Sequence, residues 1–405
     1  MKSGDSLHLI AFDIPYPANY GGVIDIYFKA KALHDAGIKV ILHCFEYGRP
    51  EAKELELVCK NVFYYKRKTF KNIIYGNVPY IVASRTSDEL LGNLLSDNYP
   101  ILFEGLHTTS YLKHPELKDR FKIVRTHNVE HEYYRHLELL EKNIFKRYFF
   151  KLEAEKLKKY QSVLKYANLI CAISPKDTAY FQKKFGKTIF IPAFHPNNKI
   201  NAKPGKGEFV LYHGNLAVGE NHEAAMYLVK NVFSDLKLPF VIAGSHPKKE
   251  LRQLIEPYPH IKLIDDGNSE HIIDLIRNAR INLLYTDQDT GIKLKLLNAL
   301  FNGRHCIVNH KMVDNTGLEG LCSIAENAQS FKKLIKEHWD HPFDSESLEI
   351  REAYFKVNFN NCISVETLIN AIPSQEKQVS DSSRKLQKPI KQKLSITSLF
   401  GLLPF

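Results

Sequence analysis

The chain has 405 residues, 44% hydrophobic and 25% charged, with a net charge of +11. This composition excludes disorder of the whole chain, leaves room for two cores of ordinary size, and includes no apolar run reaching the roughly 18 residues of a membrane span. The positive charge implies an anionic partner, and since no helix-turn-helix, zinc-finger, cold-shock or RNP-like pattern occurs, nucleic acid gives way to nucleoside diphosphates and the anionic face of a bilayer.

The chain enters a strand at Leu7 to Phe12 without a signal segment, then passes through PYPANYGG into a helix. A glycine loop lets the backbone approach an anion, and the helix behind it supplies unpaired N–H groups and a positive dipole end. Further strands follow at Lys39 to Cys44, Asn61 to Tyr65, Ile101 to Glu104, Phe121 to Val124, Asn168 to Ile173 and Thr188 to Ile191, with helical patterns between them. The longest helical stretch runs from Val129 to Ala167 and is broken once. Pro192 to Glu208, PAFHPNNKINAKPGKGE, loses all periodicity and reads as a linker.

The second half restarts with a strand at Phe209 to Tyr212 and a second glycine turn, HGNLAVGEN, ahead of a helix near Asn221. Strands at Phe240 to Ala243, Ile261 to Ile264, Ile281 to Tyr285 and Cys306 to Val308 alternate with helices starting near Pro247, Ser269, Gly291 and Ala328. Such alternation in both halves predicts an α/β protein of two Rossmann-like domains with parallel sheets and a ligand cleft between them. The divisions are residues 1–194, a linker over 195–207, a second domain over 208–342, and a helical region over 343–372 that crosses back to the first. A basic tail without fixed structure over 373–405 ends in the apolar SLFGLLPF. Cys44, Cys59, Cys171, Cys306, Cys322 and Cys362 show neither CxxC nor Cys/His ligand spacing, so a zinc site and a disulfide framework are not expected and a cytoplasmic setting is.

The ordered set PYPANYGG, IVRTHNVEHEYYRH, ANLICAISPKD, FVLYHGNLAVGENHEAA and TGIKLKLLNALFNGRHCIVN resembles the retaining glycosyltransferases of family four, which have the GT-B fold. The resemblance covers residues 5 to 370. It implies transfer of a sugar from a nucleoside diphosphate donor, with retention of configuration and without metal or other cofactor, to a glycan or polyprenyl-linked acceptor.

Carried over residue by residue, the resemblance puts Gly21 and Gly22 against the donor diphosphate; their alternative role is close strand–helix packing. His127, in VRTHN at a strand's carboxyl end, matches the histidine that contacts the transferred sugar, and imidazole suits a hydrogen bond to a hydroxyl or to the leaving diphosphate. Glu130 and His131 either support His127 or meet the acceptor, or Glu130 complements a helix dipole with Asn128 as N-cap. Gly214 and Asn215 match the second glycine turn, but the family's Arg and Lys are missing between His213 and Glu223. Lys295 is the candidate for that charge, which a departing diphosphate requires; Lys293 is the runner-up and reads as a solvated helix residue. Thr290 and Asn298 stand where the family has two glutamates, with Gly291 beside the first, so ribose binding rests on a neutral amide. The backbone around Asp265 to Asn268 falls where the base is read, with Ser269 as N-cap.

Two other classes fit parts of this pattern. The replaced glutamates suit a non-catalytic protein that binds a nucleotide sugar or a partner. A dinucleotide-dependent oxidoreductase fits less well, because neither loop has GxGxxG and neither second strand, read as Lys39 to Cys44 and as Phe240 to Ala243, ends in an acidic residue. A last expectation is peripheral membrane association through the basic, aromatic stretch Lys142 to Gln161 and the tail, Lys385, Lys388, Lys391 and Lys393 preceding SLFGLLPF.

Overall fold

The structure, a computed structural model, describes residues 1–69, 76–288 and 293–374. Thr290, Gly291 and the basic, apolar-ended tail lie outside the described residues.

Seven parallel strands form the first sheet: β1 (Ser6–Ala11), β2 (Lys39–Glu46), β3 (Asn61–Lys66), β4 (Ile101–Glu104), β5 (Lys122–Thr126), β6 (Leu169–Ala172) and β7 (Thr188–Phe190). Their order is β3-β2-β1-β4-β5-β6-β7. Six more, β8 (Val210–His213), β9 (Phe240–Ala243), β10 (Ile261–Ile264), β11 (Ile281–Leu284), β12 (His305–Asn309) and β13 (Ser323–Ala325), form a second parallel sheet ordered β10-β9-β8-β11-β12-β13. The central strands are near-continuous apolar runs such as ILFE and INLL because helices cover both faces of a parallel sheet. β13 is missing from the strands read in the sequence, and β2 runs on past Cys44 to end in the acidic Glu46.

The helices of the first half are α1 (Gly21–Asp35), α2 (Tyr80–Ala83), α3 (Asp88–Leu95), α4 (Glu130–Leu140), α5 (Ile144–Tyr160) and α6 (Pro175–Phe185). Those of the second half are α7 (Gly219–Leu228), α8 (Lys249–Ile255), α9 (Ser269–Asn278), α10 (Leu294–Asn302), α11 (His310–Val313) and α12 (Ala328–Asp340), followed by α13 (Ser345–Val357) and α14 (Asn361–Asn370). The stretch predicted as one helix after Phe343 is thus two, separated at Phe359, whose φ of 53° no helix accommodates. Two predicted caps are also corrected. Val129, not Asn128, occupies the N-cap of α4 and makes no side-chain cap bond, while Asn268, not Ser269, caps α9 by accepting from the N–H groups of Glu270 and His271.

The chain crosses between the sheets twice. On the first crossing, Asn197 and Asn201 bond the side chains of Asn298 and Asn302 on α10. On the second, Val365, Leu368 and Ile372 of the α14 region join the apolar cluster that contains Ile26, Ala30 and Leu33 of α1. The N-terminal ammonium donates to the carbonyls of Ile369 and Ile372 at 3.0 and 2.7 Å.

Candidate active site

In a parallel sheet whose strand order reverses, the loops leaving the two strands at the reversal diverge and open a crevice at their carboxyl ends. Here the reversals lie between β1 and β4 and between β8 and β11. A cleft of about 430 Å³ lies at the first one, lined by Tyr20, Gly21, Gly22, His127 and Glu130 from the first half and by Gln288, Lys293 and Leu294 from the second.

Two helix N-termini face this cleft. α1 begins at Gly21 behind Tyr20, and α10 begins at Leu294 behind Lys293; neither has a side-chain cap or an acidic residue in its first turn. Their first N–H groups therefore keep the partial positive charge that an anion would neutralise. Gly22 has a packing reason as well, since a Cβ there would lie 2.5 Å from the ring of Phe12. Gly21 has no such neighbour.

His127 follows β5 directly. Its Nε2 lies 2.9 Å from Glu104 Oε2 at the end of β4, so any ligand in the cleft meets Nδ1. Glu104 belongs to a fully buried ionic network that sequence reasoning missed. Lys29 Nζ donates to Glu104 at 2.6 Å and to Asp25 at 2.9 Å, and Arg125 grips Asp25 through Nε at 3.1 Å and NH2 at 2.9 Å. Burial pushes the Asp25 carboxyl up, but Arg125 and Lys29 outweigh it and hold it below the carboxylate range. Asp25, Glu104 and His127 bring ligand atoms within 4.8 Å of one another, as a metal set would. Lys29 and Arg125 already supply the compensating charge there. Arg125 also donates to the carbonyls of Ile191 and Pro192, fixing the start of the crossing segment.

Glu130 is 2% exposed, with Oε1 unpartnered. Burial, reinforced by Asp177, pushes its carboxyl up to about 8, so at neutral pH it is an acid that can donate. Tyr133 and Tyr134 line the cleft beside it. His131 does not line this cleft; it sits between α4 and α5 near Lys158.

The remaining sequence-derived residues gather at the second reversal. Gly214 follows β8 directly, and Gly244 must lack a side chain because a Cβ would fall on the Gly214 carbonyl oxygen. Asn221 Nδ2 donates to the Asn215 carbonyl at 3.0 Å, and Lys295 Nζ donates to Asn221 Oδ1 at 2.9 Å. Lys295 also lies 5.3 Å from the Tyr212 ring, and burial pulls its ammonium down to about 8 against the opposing pull of Glu220. Lys295 thus braces the second glycine turn, whereas Lys293, expected on a solvated helix face, lines the cleft. Asn298 does not line the cleft either; its Oδ1 accepts from Asn197 at 3.0 Å, leaving one lone pair for another donor. At the edge strand β10, Asp265 accepts from the His246 N–H and pairs with Arg252.

Two Rossmann-like sheets with a cleft fed by both halves are the GT-B architecture found in glycosyltransferases. The solved structures to which the chain is similar include Medicago truncatula UGT71G1 complexed with UDP-glucose, at TM-score 0.55 and 11% identity over 90% of this chain and 98% of that one. Anabaena Alr3699/HepE in complex with UDP and glucose matches at TM-score 0.55 and 11% identity, covering 94% and 100%. A mutant of S. aureus TarM in complex with fondaparinux, alpha-GlcNAc-glycerol and UDP matches at 0.59 and 10%, covering 91% and 100%. In sequence, the chain is 28% identical over 323 residues to an uncharacterized 44.6 kDa protein in the cps region of Klebsiella pneumoniae, 73% of this chain and 80% of that one. No protein-family model matches.

Proposed function

We propose that this protein is a glycosyltransferase that moves a sugar from a nucleoside diphosphate sugar to a glycan or lipid-linked glycan acceptor, with retention of configuration. The observation that carries the reading is the convergence of two uncapped helix N-termini, one from each half, with His127 and Lys293 on one cleft. A diphosphate is the anion such a site accommodates. As the anomeric bond loosens, charge grows on the leaving diphosphate, and fixed N–H groups and a lysine stabilise it without reorganising. The acceptor hydroxyl attacks the oxocarbenium-like sugar from the face the diphosphate leaves. With Nε2 turned to Glu104, His127 presents Nδ1 to a sugar hydroxyl, and Glu130, protonated, donates to a second one. Lys295 acts as a positioning residue for the Gly214 turn. A relative in a cps region fits a role in polysaccharide biosynthesis.

No metal is needed in this scheme, since helix dipoles and lysine meet the charge. UDP, GDP or a sugar derivative of one should raise the melting temperature in the presence of EDTA. Ligand at about 100 times its Kd contributes roughly 2.7 kcal/mol. A folded protein that no nucleoside diphosphate stabilises would rule the reading out.

One observation favours a second reading, nucleotide-sugar binding without transfer: Asn298 is neutral and already bonded to Asn197. Donor hydrolysis or transfer to an acceptor separates the two.

A further inference from the structure

We propose that the tip of the α4–α5 hairpin docks on an anionic bilayer surface. The hairpin's large apolar residues divide into two sets. Phe150 packs against Tyr134 with ring centroids 5.9 Å apart and Phe149 against Tyr80 at 6.3 Å, as a helix anchored on the first half requires. Leu139, Ile144, Phe145 and Tyr148, by contrast, are 68, 72, 80 and 63% exposed, and Leu140 and Leu152 extend the patch. Ile144, Tyr148 and Leu152 recur every four residues, so they form one stripe along α5, with Leu139, Leu140 and Phe145 at the turn. Single exposed apolar residues are ordinary, but six gathered at one turn and the first turns of the helix after it form a patch.

Charge selects the occupant. Between Leu139 and Leu152 the chain carries Lys142, Lys146, Arg147 and Lys151 against Glu141 alone, a net +3, and all four basic residues are exposed. Lys142 only approaches Glu223 at 3.8 Å. A second copy would set +3 against +3. An anionic leaflet takes both sets at once: the apolar tip enters the interface and the basic side chains meet headgroups. The opposite end of α4 supplies Glu130, Tyr133 and Tyr134 to the cleft wall. Eleven helical residues span about 16 Å, so docking holds the cleft roughly that far from the bilayer at most along α4. The acceptor therefore reacts close to the membrane surface, a consequence that rests on the transfer reading, whereas docking itself does not.

The test is co-sedimentation of the full chain with vesicles of phosphatidylcholine and phosphatidylglycerol, and with phosphatidylcholine alone. Wild type should bind the mixed vesicles at low salt and at least about tenfold more weakly when the salt is raised or the anionic lipid is omitted. I144S/F145S/Y148S should lose at least about tenfold in affinity with an unchanged melting temperature. F145W serves if the triple variant misfolds: its emission should shift to the blue with mixed vesicles only. No binding by wild type, equal binding by the triple variant, equal binding to neutral vesicles, an unmoved F145W emission, or a wild-type dimer that the triple variant abolishes without lipid would each overturn the proposal. Stabilisation by nucleotide sugar is read in solution, so its failure would count against the transfer reading and not against docking.

Discussion

The crevices at the two strand-order reversals are built from different materials. The first rests on charge: Asp25, Lys29, Glu104 and Arg125 are buried together, and their mutual bonds fix His127, α1 and the start of the crossing segment. The second rests mostly on neutral groups, with Asn215, Asn221, Asn298 and the glycine backbone doing the bonding and Lys295 as the main cation. Ionic bonds in a dry interior are strong and directional but intolerant of losing one partner, whereas amide pairs that water can reach cost less when one is removed. The first half thus holds His127 in a fixed geometry, while the second depends on bonds that are individually weaker.

Removing one member of the ionic network is the largest test of this contrast. Arg125→Met leaves buried Asp25 with Lys29 Nζ and the Phe194 N–H as donors but one cation fewer, and should cost about 3–5 kcal/mol in denaturant unfolding. A loss under about 1 kcal/mol would make the two crevices equivalent. Glu130 gives the next effect. Its folded value near 8 exceeds the ordinary 4.5, so between these values the folded protein keeps a proton that the unfolded chain has released. The stability it contributes is complete below about 4.5 and is lost as pH rises to 8. Glu130→Gln should therefore gain on the order of 2 kcal/mol over wild type at pH 8 compared with pH 5, read from melting curves at both. A constant difference would place the titration elsewhere.

His127→Ala should lower turnover at least about tenfold, roughly 1.4 kcal/mol, with the fold intact. Wild-type rates would make His127 a structural residue of the network. Lys293→Ala, at the first crevice, should weaken nucleotide-sugar binding about tenfold. In the second crevice the expected changes are smaller: Lys295→Ala should weaken it about threefold, because Lys295 acts through Asn221; titration calorimetry reads both. The reverse order would return Lys295 to direct contact with the diphosphate. Asn298→Ala should change stability by less than about 1 kcal/mol, the smallest effect.

The parallel strands are legible in the sequence because a strand buried on both faces is an unbroken apolar run, and both glycine loops because their helices follow at once. Glu104 is not, for its meaning comes from register: β4 sets it beside Arg125 on β5, and only that pairing brings it to His127. Lys293 lies on the cleft instead of a solvated helix face for a local reason. A helix starting near Gly291 would carry Lys293 on its surface, but the helix starts at Leu294 and leaves Lys293 at its mouth. Glu130 reads as a helix-dipole residue until the neighbouring Asp177 and the tyrosines show how dry its surroundings are.

The two chain crossings do not run independently. Asn361 Nδ2 donates to the His195 carbonyl at 2.8 Å, the His195 N–H returns a bond to Asn361 Oδ1 at 3.3 Å, and His195 Nε2 lies 2.7 Å from the Phe359 carbonyl. Two connections stitched together at one point cannot shift independently, so a displacement of the α13–α14 break would be carried to the segment that leaves the first sheet.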